Sequence, residues 1–395
     1  MRIENSYRII PCYTADVSGV CSALFELGGM VVMHDPSGCN STYNTHDETR
    51  WYDHDSLIYI TGLTEMDAIL GNDQKVIRDV SDVAGRLSPK FIALCGSPIP
   101  FINGTDYSAL ARMIEKETGI PTFAVATNGM HDYAQGAGAA LLAYAKKILK
   151  PRWDEAPAHK ETIHPTGQIS VNLLGVTPLD FAFSRAVFTL KHALATRNIH
   201  ILSVFSMLDG ENVTSLEAAI YANVNLVVSA AGYPLARFMQ EQYGIPFVVG
   251  VPFYAFADTL CADIRKAAAG GCKHCFSYFH RNAWLSDAVS EPSIAIIGEP
   301  VTAGSLAAMI TRNYQKKASV LCPLEKSQNF LTRGDHRFLG EAQCMDLMKQ
   351  YQHIIADPLY LPICPEHAAF HRLPHLAFSG RCDLAEMHIW ETLFD

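Results

Sequence analysis

The stretch QISVNLLGVTPLDFAFSRAVFTLKHALATRNIHILSVF, residues 168–205, decides the fold. Ile169–Val176 is a short, nearly unbroken apolar run, the signature of a strand covered on both faces. Asp180–Asn198 then places Phe183, Ala186, Val187, Leu190 and Leu194 on one helical face. His200–Phe205 returns to strand character. Working outward, a helix over Thr214–Tyr221, a strand over Val224–Ser229, a helix over Pro234–Tyr243 and a strand over Ile245–Val251 continue the alternation. A helix over Ala255–Gly270 ends at Gly270-Gly271. This βαβαβ series predicts a Rossmann-like parallel sheet.

The same alternation holds on either side. In the N-terminal third, Met30–His34, Phe91–Cys95 and Pro121–Ala126 read as strands, with helical periodicity over Gly19–Leu27, Asn72–Leu87 and Tyr107–Gly119. Lys150–Pro165 is Pro- and His-rich without apolar periodicity, the composition of a linker. Beyond Glu291, strands at Ser293–Gly298, Ala318–Leu321 and His353–Ala356 alternate with helices at Val301–Asn313 and Gly340–Gln352. A Pro/His-rich stretch, Pro358–Arg381, closes the unit. The expectation is an α/β protein of three Rossmann-like open-sheet domains, over residues 1–155, 156–288 and 289–395.

Composition narrows the function. Of 395 residues, 49% are hydrophobic and 18% charged, a globular balance. Thirty-one basic against 40 acidic residues give a net charge of −9, with no Lys/Arg run, so nucleic acid is not an expected partner. No apolar stretch is long enough for a membrane helix, and Met1–Asn5 lacks the layout of a signal peptide. The expected location is cytoplasmic. There, 11 cysteines are thiols or metal ligands rather than a disulfide framework.

Neither G-x-G-x-x-G after a strand nor G-x-x-x-x-G-K-[ST] occurs, so no nucleotide is expected to bind this chain itself. Cysteines supply the sharper signal. Cys12 follows the run Tyr7–Pro11, Cys39 lies five residues past the strand ending at His34, and Cys95 closes the strand Phe91–Cys95. Ligands collect beyond the carboxyl ends of strands in open α/β sheets, so these three thiols can converge on one metal cluster. Cys21, on an amphipathic helix, reads as core. Cys272-Lys273-His274-Cys275 is a lone C-x-x-C, read as a helix end with packed thiols. His46–Asp55 mixes acids, bases and aromatics just past Cys39, a composition suited to proton transfer or to a solvated loop. The histidine and arginine groups at Arg333–Arg337 and His367–His375 read as surface loops.

Several motifs, in order along the chain, resemble one family. His34-Asp35-Pro36-Ser37-Gly38-Cys39 resembles the H-G-P-x-G-C segment of nitrogenase component 1 subunits. Leu63–Gly71 (LTEMDAILG) is similar to their T-E-x-D-x-x-x-G element, and Lys90–Gly96 (KFIALCG) to the strand bearing their third cluster cysteine. Phe238–Phe247 (FMQEQYGIPF) resembles their M-E-E-x-Y-G-I-P stretch. Ile297–Pro300 and Ala356–Pro358 match less specifically.

The resemblance implies three Rossmann-like domains and an iron–sulfur cluster at a subunit interface, held by Cys12, Cys39 and Cys95 with Cys21 as the alternate first ligand. The cluster would be [4Fe–4S] or the larger [8Fe–7S] type. The partners implied are a second subunit, identical or paralogous, in a dimer or heterotetramer, and a separate ATP-hydrolysing iron protein that donates electrons. Alignment on Tyr243–Pro246 puts Val228 or Ser229 where dinitrogen-reducing subunits carry a cofactor cysteine. The expectation is therefore a nitrogenase-like reductase acting on a small molecule or tetrapyrrole. His34, His46, Asp47, Glu48 and His54 are its candidate proton donors because they neighbour Cys39. Two alternatives stand beside it: a non-catalytic scaffold for metallocofactor assembly, and a cluster-free chelate-binding protein.

Overall fold

The computed structural model describes residues 7–36, 38, 43, 48–51, 54–149, 168–207, 216, 218–285 and 292–394. Cys39, His46 and Asp47 lie outside the described residues, as do Thr214, Ser215 and Glu217 of the helix expected over Thr214–Tyr221, of which Ala218–Tyr221 forms a 3-10 helix.

Three parallel sheets form the frame. The first has the order β2-β1-β3-β4, with β1 at Met30–His34, β2 at Leu57–Ile60, β3 at Ile92–Gly96 and β4 at Thr122–Ala124. The second runs β6-β5-β7-β8-β9, with β5 at Ile169–Val176, β6 at Ile199–Ser206, β7 at Val224–Val227, β8 at Phe247–Val249 and β9 at His274–Phe276. The third runs β12-β11-β10-β13-β14, with β10 at Ile294–Ile297, β11 at Ala318–Cys322, β12 at His336–Arg337, β13 at His353–Ala356 and β14 at Ala369–Arg372. All strand pairs are parallel, as the apolar runs require, and the α/β reading holds.

Four strands escaped the sequence reading, among them β12 and β14, which fall in the Arg333–Arg337 and His367–His375 groups read as surface loops. β2 (LIYI) follows the polar His46–Asp55 stretch and is largely half-buried. β9 carries His274 and Cys275 and pairs with β8 in the register Val248↔Cys275, so the C-x-x-C opens an edge strand rather than ending a helix. The helix Tyr133–Ile148 was also unmarked, because its Gly/Ala-rich first turns carry little amphipathic contrast.

That helix locks the units together. It packs against the helix Asp16–Leu24 at glycine contacts: a Cβ on Gly136 would stand 1.9 Å from the Asp16 carbonyl oxygen, and one on Gly19 would stand 2.2 Å from that of Tyr133. One apolar cluster runs from Ile9 to Phe394 through all three sheets. The strand-end loops of the three sheets therefore meet at a solid junction.

Candidate functional site

At the end of β1, His34 is buried and shares a hydrogen bond between Nδ1 and Thr61 Oγ1 at 2.9 Å. Burial pushes its imidazole below the ordinary histidine value, so it is neutral at pH 7. Asp35 accepts from the Ser97 hydroxyl, tying the ends of β1 and β3. Cys95, paired in register with Met33, is fully buried, and its thiol hydrogen-bonds with that of Cys21 on the neighbouring helix.

Cys12 stands elsewhere. Its Sγ faces the carbonyls of Thr14 and Ala377, both at 3.6 Å, and burial, with Asp132 beside it, raises its thiol well above the usual range. Cys322 and Asp180 are further neighbours, whereas Cys21 is the thiol next to Cys95. Among the described residues no three His, Cys, Asp or Glu side chains form a metal-holding group. Cys12 is only half-buried and follows the exposed Ile10, 66% accessible, and precedes the exposed Tyr13, 51% accessible.

Glu48 is pinned. Arg50 donates to it through Nε at 2.7 Å and Nη2 at 2.9 Å, Tyr43 Oη donates at 3.0 Å, and Ser22 Oγ at 3.2 Å. Burial works to raise its carboxyl, but the Arg50 guanidinium outweighs burial and holds it below the ordinary range. Arg50 also bridges to Glu26 at 2.7 Å and lies over the Phe25 ring. His54 is half-buried, and its backbone N–H donates to the Arg50 carbonyl.

A second constellation sits where the three units meet. Asp180 lies on the one-turn helix Pro178–Phe181 that follows β5, Glu299 just after β10, and His375 just past β14. All three side chains are buried. Tyr133 Oη donates to Asp180 Oδ1 at 2.5 Å and Thr177 Oγ1 to Oδ2 at 2.7 Å. Glu299 caps the helix Pro300–Tyr314, accepting from Thr302 N at 2.8 Å, and also takes the Ala230 N–H at 2.8 Å. Neither ring nitrogen of His375 has a hydrogen-bond partner, and Nε2 stands 3.8 Å from Asp180 Oδ1. Burial raises Asp180 to about 6; burial and the nearby Asp180 raise Glu299 to about 8; burial lowers His375 to about 3.

Local sequence assigns Asp180 and Glu299 no chemical role, and the His367–His375 group, expected on the surface, contributes the buried His375. The usable signal was positional: each of the three residues follows a strand of a parallel sheet. Ser229, where a cofactor thiol would be needed, donates its hydroxyl to the Gly175 carbonyl at 2.6 Å.

A cavity of about 350 Å³ opens at the same junction, lined by Gln135, Leu142, Tyr233, Pro300, Lys326 and Phe330 from all three units. Its volume suits a small ligand, with Tyr233 and Phe330 meeting edge to face at 5.1 Å. At the far edge of the second sheet, burial and Asp263 raise Cys275 to about 12, which disfavours a reactive thiolate.

Residues 18–266 match the family model for nitrogenase component 1 type oxidoreductases, and the chain belongs to that family. Curated relatives include the nitrogenase iron–molybdenum cofactor biosynthesis protein NifE of Clostridium pasteurianum, 25% identical over 63% of this chain and 54% of the relative. NifE of Klebsiella pneumoniae is 25% identical over 60% of this chain and 51% of the relative. The chain thus spans about half the length of these relatives. Among solved structures, nitrogenase Cp1 at pH 6.5 superposes with a TM-score of 0.63 at 16% identity, covering 100% of this chain and 94% of the other, a likeness of fold.

Proposed function

We propose that the chain is the catalytic subunit of a nitrogenase-like, ATP-dependent iron–sulfur reductase that acts on a small-molecule or tetrapyrrole-type substrate. The observation that carries this reading is the cavity at the three-unit junction, sized for a small ligand and with no cysteine among its described lining residues. Such a space suits a substrate that comes and goes better than a thiolate-anchored cofactor.

On this reading Cys12, Cys39 and Cys95, with Cys21 as the alternate to Cys12, hold an iron–sulfur cluster whose shell is completed by a second subunit. When bound, the cluster would pass low-potential electrons from a separate iron protein. The chain's own residues do the rest. Tyr233 and Phe330 offer aromatic faces to a ligand, Lys326 offers a cation to an anionic group, and the buried junction excludes water. The exposed Tyr7, Ile10 and Tyr13 beside Cys12 support subunit contact there. Further exposed apolar residues, Ile99, Phe101 and Ile102, follow β3 and support docking of a partner near Cys95. A cytoplasmic location belongs to the same reading; among the described residues no helix is long and apolar enough to cross a membrane.

A second reading, a metallocofactor-assembly scaffold, is favoured by one observation: the curated relatives above are cofactor biosynthesis proteins. Anaerobic incubation with an ATP-hydrolysing iron protein, MgATP, dithionite and candidate tetrapyrroles separates the two. ATP-dependent substrate reduction supports the reductase. Transfer of a metal cluster to an acceptor apoprotein without turnover supports the scaffold and overturns it.

A further inference from the structure

We propose that Asp180 and Glu299, with His375 as a neutral wall, form a buried proton-holding site that serves the cavity at the three-unit junction. The inference deepens the reductase reading and rests on it for its role.

Geometry carries the argument. Ser229 stands within reach of Asp180, and the N–H of the next residue, Ala230, donates to Glu299 Oε1, so one dipeptide links the two carboxyl groups. The same Ala230, together with Pro300 beside Glu299, lines the cavity of about 350 Å³. The carboxyl pair thus backs the cavity wall. On its other side a void of about 10 Å³ touches Glu299, His375 and Trp390, close to the size one water needs.

Charge balance points the same way. Among the described residues, neither carboxyl group has a lysine or arginine partner. The basic group beside Asp180 among the described residues is His375, which burial keeps neutral. Among the described residues the other ionisable neighbours are acids: Tyr133 and Cys12 against Asp180, Tyr278 and Cys322 facing Glu299, and Asp357 holding the His375 backbone N–H at 2.7 Å. Two buried carboxylates without a cation repel each other, and retaining one proton relieves that repulsion. In the proposed step the O–H bond of the protonated carboxyl breaks and its proton goes to a substrate atom being reduced, the electrons being those that an iron–sulfur cluster held by this chain and its partner would relay one at a time from the iron protein. The carboxylate regains a proton from water.

The test is a pH titration of the purified full-length chain by infrared difference spectroscopy, reading the carbonyl stretch of a protonated carboxylic acid. The expected result at pH 7 is one protonated carboxyl that Glu299→Gln removes, and whose loss on raising pH moves lower in Asp180→Asn. Wild-type protein isotopically labelled at glutamate reads the same group if a variant does not fold. No protonated carboxyl at pH 7 in the wild type, or a signal unchanged in both variants, overturns the proposal. A signal present without substrate reduction leaves the site standing and removes the reductase reading; reduction without the signal does the reverse.

Discussion

His375 Nε2 stands 3.8 Å from Asp180 Oδ1, and both side chains are buried where the third unit meets the second. An imidazole and a carboxyl so close would ordinarily form an ion pair. Burial instead holds the imidazole neutral and lifts the carboxyl.

This arrangement gives stability two opposite pH dependences. His375 falls from 6.5 to about 3 on folding, so its contribution is complete above about 6.5 and is lost as pH falls through about 3. Glu299 rises from 4.5 to about 8, so its contribution is complete below about 4.5 and is lost as pH rises through about 8. Urea midpoints measured across pH are expected to show a shallower acid limb in His375→Gln and a shallower alkaline limb in Glu299→Gln. Unchanged limbs in both variants would contradict the assignment.

Arg50→Ala is expected to destabilise the chain by about 3–5 kcal/mol, because it strands the buried Glu48 carboxylate without its guanidinium. Glu48 then reads as a structural anchor for the segment before β2. Glu48→Gln should accordingly lower the denaturation midpoint while leaving turnover per folded molecule within about twofold. A loss of about 100-fold or more in turnover would restore Glu48 as a proton donor.

Gly136→Ala is expected to cost about 1–3 kcal/mol, since the new methyl meets the Asp16 carbonyl at 1.9 Å and separates two helices. Gly85→Ala, with open space around it on the helix Asp73–Leu87, should be neutral or mildly stabilising. Paired chemical denaturation curves check both.

The three-sheet frame was legible because buried parallel strands such as Ile294–Ile297 are continuous apolar runs bounded by loops. The site was legible only in part. Thiol spacing singles out Cys12, Cys39 and Cys95, but spacing cannot tell that the Cys21 thiol turns inward against Cys95 while Cys12 faces Ala377. Nor does local sequence mark Asp180, Glu299 and His375 as neighbours. They are separated by 119 and 76 residues, and only the docking of the third sheet against the second brings them together.

That difference in placement makes the choice of first ligand for the proposed cluster testable. Cys12→Ala is expected to lose iron with only a small loss of stability, because the half-buried thiol packs at the margin of the apolar core. Cys21→Ala, in the core beside Cys95, is expected to lose stability while keeping iron. Iron content and thermal midpoints of the two variants decide it, and the opposite pattern makes Cys21 the ligand.

The most direct measurement is iron and acid-labile sulfide per chain in anaerobically purified protein, with electron paramagnetic resonance after dithionite reduction. About two irons per chain are expected, half of a four-iron cluster shared by two subunits, with a reduced-cluster signal that Cys39→Ala or Cys95→Ala abolishes. Iron-free protein after careful anaerobic reconstitution would contradict the electron-transfer account at its root.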